Sequence, residues 1–209
     1  MNLIFDLDGT LIDASDRLYQ LFQDIVTESH LTKEEYWKLK RDKVNHKMLL
    51  ERFFPDKDFE RFNKQWMNLI EDNYYLDLDE NYGDTITALE CLSAGNRLIL
   101  LTARQSKDRL YQELDRLAIL RFFDDILVTE GRKDKEKLLK EAIDTGRIKH
   151  DPEDMFISDM GKDILIGKKL GFRTVGITHG FMNRNRLEEY EPDYIVDELG
   201  EVNKDCVYS

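Results

Sequence analysis

Cysteine is scarce in this chain: Cys91 and Cys206 stand far apart, and neither belongs to a CxxC or Cys/His spacing that could hold zinc or run thiol redox chemistry. Both are expected to be reduced thiols. No stretch approaches the roughly 18 consecutive apolar residues that a membrane span needs. The opening Met1-Asn2-Leu3-Ile4-Phe5-Asp6 has no basic segment leading into an apolar one, so secretion is not expected. Internal repeats and low-complexity tracts are missing too. Positive charge is in deficit: 31 Lys and Arg stand against 43 Asp and Glu, a formal charge of −12. Such a field repels polyanions at long range, which argues against nucleic acid polymers as partners. Small phosphorylated molecules are not excluded, because a bound divalent cation and a few basic side chains invert the field locally. A cytoplasmic protein with no membrane partner is expected.

What is present suffices for a core. Apolar residues make up 41% of the 209, with eleven Phe, nine Tyr and two Trp, well above the depleted composition of a disordered chain. The length allows one full α/β domain plus a small module. Short apolar runs read as buried strands: Leu3-Ile4-Phe5, Leu98-Ile99-Leu100-Leu101, Ile126-Leu127-Val128, Met155-Phe156-Ile157 and Thr174-Val175-Gly176-Ile177. Helical patterns separate the later ones, from Ser106 to Ala118, Asp134 to Thr145 and Lys162 to Leu170, with Gly146 and Gly171 placed at the ends of the last two. The alternation predicts an α/β fold, a Rossmann-like parallel sheet core with helices on both faces.

Residues 15 to 80 break that alternation with helical patterns alone. Ser15 is placed to cap a helix bearing Leu18, Leu21, Phe22, Ile25 and Val26; Thr32 and Glu35 have capping-box spacing; Phe59, Phe62, Trp66, Leu69 and Ile70 form a packing stripe. Asn81-Tyr82-Gly83-Asp84 reads as the turn back into the core, with Asp84 capping the next helix. The expected organisation is a core of 1–14 and 81–209 and a small all-α cap of 15–80 inserted after the first strand.

In an open parallel sheet, ligands bind beyond the carboxyl ends of the strands. Four runs deliver polar groups there: Asp6-Leu7-Asp8-Gly9-Thr10, Thr102-Ala103-Arg104, Arg132-Lys133-Asp134-Lys135, and Ser158-Asp159-Met160-Gly161-Lys162-Asp163. Asp6 and Asp8 stand two apart, so in an extended chain both carboxylates share a side, and a proton or metal ion must relieve their repulsion.

Phe5-Asp6-Leu7-Asp8-Gly9-Thr10-Leu11-Ile12-Asp13 resembles the DxDGT[LV]xD signature of the haloacid dehalogenase-like superfamily. Leu100-Leu101-Thr102 resembles its second motif, a lysine ahead of a helix its third, and Ile157-Ser158-Asp159 followed by Asp163 its fourth. Leu117 to Asp124 resembles the stretch before the third motif, and Pro192-Asp193-Tyr194-Ile195-Val196 its closing strand. The helical insert is similar to the C1-type cap of the phosphoglycolate phosphatase-like branch. The resemblance implies a Mg²⁺-dependent phosphatase acting on a small phosphorylated metabolite through an aspartyl-phosphate. Asp6 is then the nucleophile and Asp8 the general acid/base.

On the same footing, Asp6, the Asp8 backbone carbonyl and Asp159 hold the metal. Asp163 supports that site or is simply a first-turn helix acid. Thr102 and the Ala103 N–H bind the phosphoryl group, with Gly9 and Thr10 beside it. Arg104 contacts a substrate anion or is a solvated helix-start arginine. The catalytic lysine is Lys133 or Lys135; alignment on the family's Lys-Pro-x-Pro favours Lys133, with Asp134 in place of proline. Ser158 replaces a common glycine. A phosphomutase of the same superfamily and a catalytically silent binding protein are the rival readings. The basic stretch Lys38 to Lys43, with His46 and Lys47, is either a holder for an anionic substrate tail or a solvated helix face.

Overall fold

The computed structural model describes residues 1–202; Cys206 lies outside them. The chain divides into two compact units, one made of Met1–Asp13 and the chain from Glu80 onward, the other of Ala14–Asp79.

In chain order, the first unit begins with β1 (Asn2–Phe5) and β2 (Ile12–Asp13). The second unit follows as α1 (Ser15–Ile25), α2 (Lys33–Arg41), α3 (His46–Phe53), α4 (Phe59–Leu69) and α5 (Asn73–Leu76). The first unit then resumes with β3 (Glu80–Asn81), α6 (Thr85–Ser93), β4 (Arg97–Thr102), α7 (Lys107–Arg116), β5 (Asp125–Val128), α8 (Lys135–Asp144), β6 (Met155–Ser158), α9 (Gly161–Leu170), β7 (Arg173–Ile177), α10 (Arg184–Glu188) and β8 (Tyr194–Val196).

Six strands form one parallel sheet in the order β5-β4-β1-β6-β7-β8, with β1 between β4 and β6. The order steps outward in one direction through β4 and β5 and in the other through β6, so β1 and its neighbours sit where the winding reverses, the place such sheets reserve for ligands. The apolar runs are continuous because both faces of the sheet are covered. Leu3, Phe5, Leu98, Leu100 and Ile157 pack on one face with Leu89, Leu110 and Leu114; Ile4, Ile99, Leu101 and Phe156 pack on the other with Leu139, Ala142 and Ile148. Asn2 at the start of β1 is tied down by buried Asp154, which accepts from its N–H at 2.6 Å and its side-chain amide at 2.7 Å.

The return from the inserted unit keeps the expected turn at Gly83-Asp84, closed by Thr85 N donating to Tyr82 O at 3.0 Å, but it is preceded by a short strand. Glu80 and Asn81 are β3, paired antiparallel with β2 in the register Ile12↔Asn81 and Asp13↔Glu80. Two caps also differ. Ser15 is the first helical residue of α1, and the cap position is taken by Ala14. Asp84 precedes α6 without capping it, because its carboxylate accepts instead from Gly200 N at 2.8 Å.

The inserted unit is helical throughout its core. Thr32 and Glu35 close the capping box of α2. Phe22, Tyr36, Phe62 and Trp66 surround the His46 ring, whose Nε2 lies 2.9 Å from the Tyr36 hydroxyl; burial lowers His46 to about 2, so it stays neutral. Arg17 on α1 pairs with buried Asp79 at 3.0 Å. In the basic stretch, Lys40 is half-buried, and desolvation lowers its ammonium to about 8, so this part of the stretch is not a fully solvated face. Among the described residues no helix is long and apolar enough to cross a membrane.

Candidate active site

The strand β1 hands over to a tight loop. Asp6 N still donates to Ile157 O at 3.0 Å, extending the ladder by one residue, and then the Leu7 carbonyl accepts from the N–H groups of Thr10, Leu11 and Ile12. This turn needs Gly9, which sits at φ +84° with its N–H on Ile12 O at 2.9 Å. A Cβ there would stand 2.3 Å from Asp159 Oδ2. Gly180, on the loop after β7, is held just as closely: its Cβ would meet Gly9 O at 2.2 Å.

These constraints bring Asp6 and Asp159 to one buried point. Asp6 Oδ1 accepts from Leu7 N at 2.7 Å and pairs with Lys135 Nζ at 2.6 Å; among the described residues its Oδ2 accepts no hydrogen bond. Asp159, at the end of β6, accepts from the Thr10 hydroxyl at 3.1 Å and from Phe181 N at 2.6 Å. Asp163, in the first turn of α9, pairs with Lys135 at 2.6 Å and accepts from Ser158 Oγ at 3.0 Å. Asp163 therefore anchors the lysine.

Gly9 and Thr10, expected beside the phosphoryl group, hold the loop and Asp159 in place. The Thr10 hydroxyl donates to the Asp159 carboxylate and accepts from Asp159 N, and its own N–H is spent on Leu7 O. Lys133 lines the cleft over this point, but its ammonium pairs with Glu141 on α8 and not with Asp6. The physical reason is local. Asp134 is the N-cap of α8, its side chain accepting from Lys137 N at 2.7 Å, so Lys135 is the first helical residue and its side chain reaches inward. Thr102 ends β4 with its hydroxyl buried and, among the described residues, without a hydrogen-bond partner.

Asp6 and Asp8 are held by different side-chain cations, Asp6 by Lys135 and Asp8 by Arg104. Arg104 grips Asp8, with Nε 3.0 Å from Oδ2 and Nη2 2.9 Å from Oδ1, and is itself only 4% exposed. The reading of Arg104 as a solvated helix-start residue is thereby excluded. Sequence reasoning also missed its buried partner Glu113, together with Thr129, Gly180 and Phe181. Thr129 N donates to Thr102 O at 3.1 Å and Glu130 N to Arg104 O at 3.0 Å, which hooks the loop after β5 to the end of β4. Only the short Gly180-Phe181 pair after a strand end hinted at its contact with Asp159.

A cleft of about 700 Å³ opens over this point, its lining including Asp6, Asp8, Thr129, Lys133, Lys135 and Asp163. Burial raises Asp6 well above the usual carboxylate range, the Lys135 charge pulls it back, and Asp163 and Asp159 push it up again. Burial likewise raises Asp159 to about 7, against the donors Phe181 N and Thr10. For Lys135, burial alone would lower the ammonium, but Asp6 and Asp163 more than offset it and keep the charge. Two buried carboxylates thus pair with one ammonium, with a third, Asp159, close by, an excess of negative charge that a further cation relieves. Among those residues no cluster of three or more His, Cys, Asp or Glu side chains could chelate an ion alone. One or two carboxylates completed by backbone, water or ligand oxygen is the donor set of Mg²⁺.

Residues 3–177 match the family model described as haloacid dehalogenase-like hydrolase. The chain belongs to that family. Its relatives include the pyrophosphatase PpaX of Oceanobacillus iheyensis, 24% identical over 209 residues covering 96% of this chain and 94% of that protein. The phosphoglycolate phosphatase of Vibrio parahaemolyticus is 26% identical over 216 residues, 96% of this chain and 93% of that one. Among solved structures, a haloacid dehalogenase-like hydrolase from Streptococcus pneumoniae superimposes with a TM-score of 0.76 at 24% identity, covering 97% of this chain and 96% of that one.

Proposed function

We propose that this member of the family is a Mg²⁺-dependent phosphatase that hydrolyses a small phosphorylated metabolite in two displacements on Asp6. The observation that carries the reading is the state of the Asp6 carboxylate. One oxygen is fixed by Lys135 and the Leu7 N–H, while the other, beside a cleft, meets no donor among the described residues. That is the arrangement of a nucleophile held at its back. The names of the PpaX and phosphoglycolate phosphatase relatives support a phosphate substrate.

In the first displacement an Asp6 oxygen bonds to phosphorus as the bond from phosphorus to the leaving oxygen breaks, and Asp8 gives that oxygen its proton. Lys135 and the Thr102 hydroxyl hold the phosphoryl oxygens, the lysine as a point charge and the threonine as a donor. In the second displacement Asp8 takes a proton from water, whose oxygen bonds to phosphorus and releases Asp6 and inorganic phosphate. Asp6, Asp159 and the Asp8 backbone carbonyl would hold Mg²⁺, which when bound supplies neutralisation and orientation of the phosphoryl charge. Asp163 keeps Lys135 in place.

Phosphate release from p-nitrophenyl phosphate with Mg²⁺ tests the proposal. Turnover is expected in the native chain and is abolished by chelation and by Asp6→Asn. Turnover that survives Asp6→Asn would sink the covalent mechanism.

A further inference from the structure

We infer that Arg104 is a positioning residue that acts through Asp8, clamped from behind by Glu113, and that it makes no contact with substrate. The inference rests on the proposed phosphatase chemistry. Arg104 follows β4 by two residues, and one edge of its guanidinium makes two parallel bonds to the Asp8 carboxylate, Nε to Oδ2 at 3.0 Å and Nη2 to Oδ1 at 2.9 Å. A two-point contact of this kind fixes the plane of a carboxylate as well as its position, which a lysine cannot do. The same Nη2 lies 3.1 Å from Glu113 Oε1 and 3.0 Å from Oε2.

Glu113 is on α7, and its side chain is 1% exposed. It is an expensive place for a charge unless it is paired. With Glu113 fixed by the packing of α7, the guanidinium has one orientation available, and that orientation dictates where Asp8 points. The layering agrees with this role: Asp8 and Ala103 line the cleft, Arg104 does not, and the Asp8 side chain is 26% exposed where that of Arg104 is 4%. Substrate in the cleft meets Asp8 first. A general acid/base displaced by about 1 Å loses on the order of a hundredfold in rate, so a clamp behind it governs turnover more than binding.

The test is steady-state hydrolysis of p-nitrophenyl phosphate with Mg²⁺ by Arg104→Met, Arg104→Lys and Glu113→Gln, with thermal melts of each. Arg104→Met is expected to lower kcat by about a hundredfold with KM within about twofold, methylguanidinium restoring part of the loss. Arg104→Lys and Glu113→Gln should fall between it and the native chain, again in kcat. A rise in KM with kcat kept means that Arg104 binds substrate and overturns the inference. Unchanged kinetics with a lower melting temperature means that it only packs, which also overturns it. Should Arg104→Met not fold, the other two variants report the same split. Asp6→Asn, assayed alongside, separates the cases: if it retains turnover the phosphatase reading itself fails, whereas an inactive Asp6→Asn beside Arg104 variants altered in KM condemns the clamp alone.

Discussion

Thr102→Val should make the protein more stable and less active, and both magnitudes follow from one hydroxyl. The side chain is 1% exposed, and its oxygen has no hydrogen-bond partner among the described residues. Burying such a group costs about 1–3 kcal/mol. Valine keeps the shape, suits the end of β4 at least as well, and adds about 0.8 kcal/mol for one more buried methyl group. A net gain of about 2–4 kcal/mol is expected, which in a chain of this size raises the melting temperature by roughly 4–16 °C. Hydrolysis should move the other way. A donor aimed at developing phosphoryl charge is worth about a hundredfold or more in rate, so kcat/KM should drop by that order while Thr102→Ser retains most of it. Urea titration monitored by far-UV circular dichroism gives the first quantity and phosphate release the second. A Val variant that is less stable and equally active would show the hydroxyl to be structural, and would remove Thr102 from the phosphoryl site.

Lys135→Met should abolish turnover, because it strips the counter-charge from Asp6 and Asp163 together; Lys133→Met, which breaks only an exposed pair with Glu141, should leave kcat within about twofold, exposed pairs being worth about 0–1 kcal/mol. Stability of the metal-free protein should fall as pH rises. Asp159 sits near about 7 in the folded chain against an ordinary 3.8, so between those values the folded state binds more protons than the unfolded one, and the slope is negative. The loss, on the order of 4 kcal/mol for that shift, should be complete above about pH 7 and be flattened by Asp159→Asn in melts from pH 4 to 8. Saturating Mg²⁺, which selects the ionised carboxylate, should flatten it as well. Gly180→Ala should lower both the melting temperature and kcat, since its Cβ would lie 2.2 Å from Gly9 O and 2.3 Å from Asp159 Oδ2; normal values for both would refute the close approach of the two loops.

The sheet was readable because strands covered on both faces leave unbroken apolar runs, and Leu98-Ile99-Leu100-Leu101 marked β4 to within one residue at each end. Helix ends with Gly146 and Gly171 were equally plain. What escaped was decided by competition between side chains over long sequence separations. Asp84 had a capping position, but Gly200 N claimed its carboxylate. Arg104 could be placed at the correct strand end, yet nothing in Thr102-Ala103-Arg104 announces that Glu113 waits beneath it. The choice between Lys133 and Lys135 turned on one residue of helix phase. There, the N-cap preference of Asp134 indicates which side chain starts the helix and meets Asp6, which alignment to a proline the chain does not have could not indicate.

The β2–β3 pair has an engineering consequence. Since Asp13 and Glu80 already face each other across an antiparallel ladder, the chain ends left by excising everything between them are within reach of a two-residue Asn-Gly turn, which would close the ribbon into an ordinary hairpin. The unit that carries the parallel sheet could then be produced by itself, or a foreign helical module spliced in at the same junction, without redrawing a single strand of the main sheet.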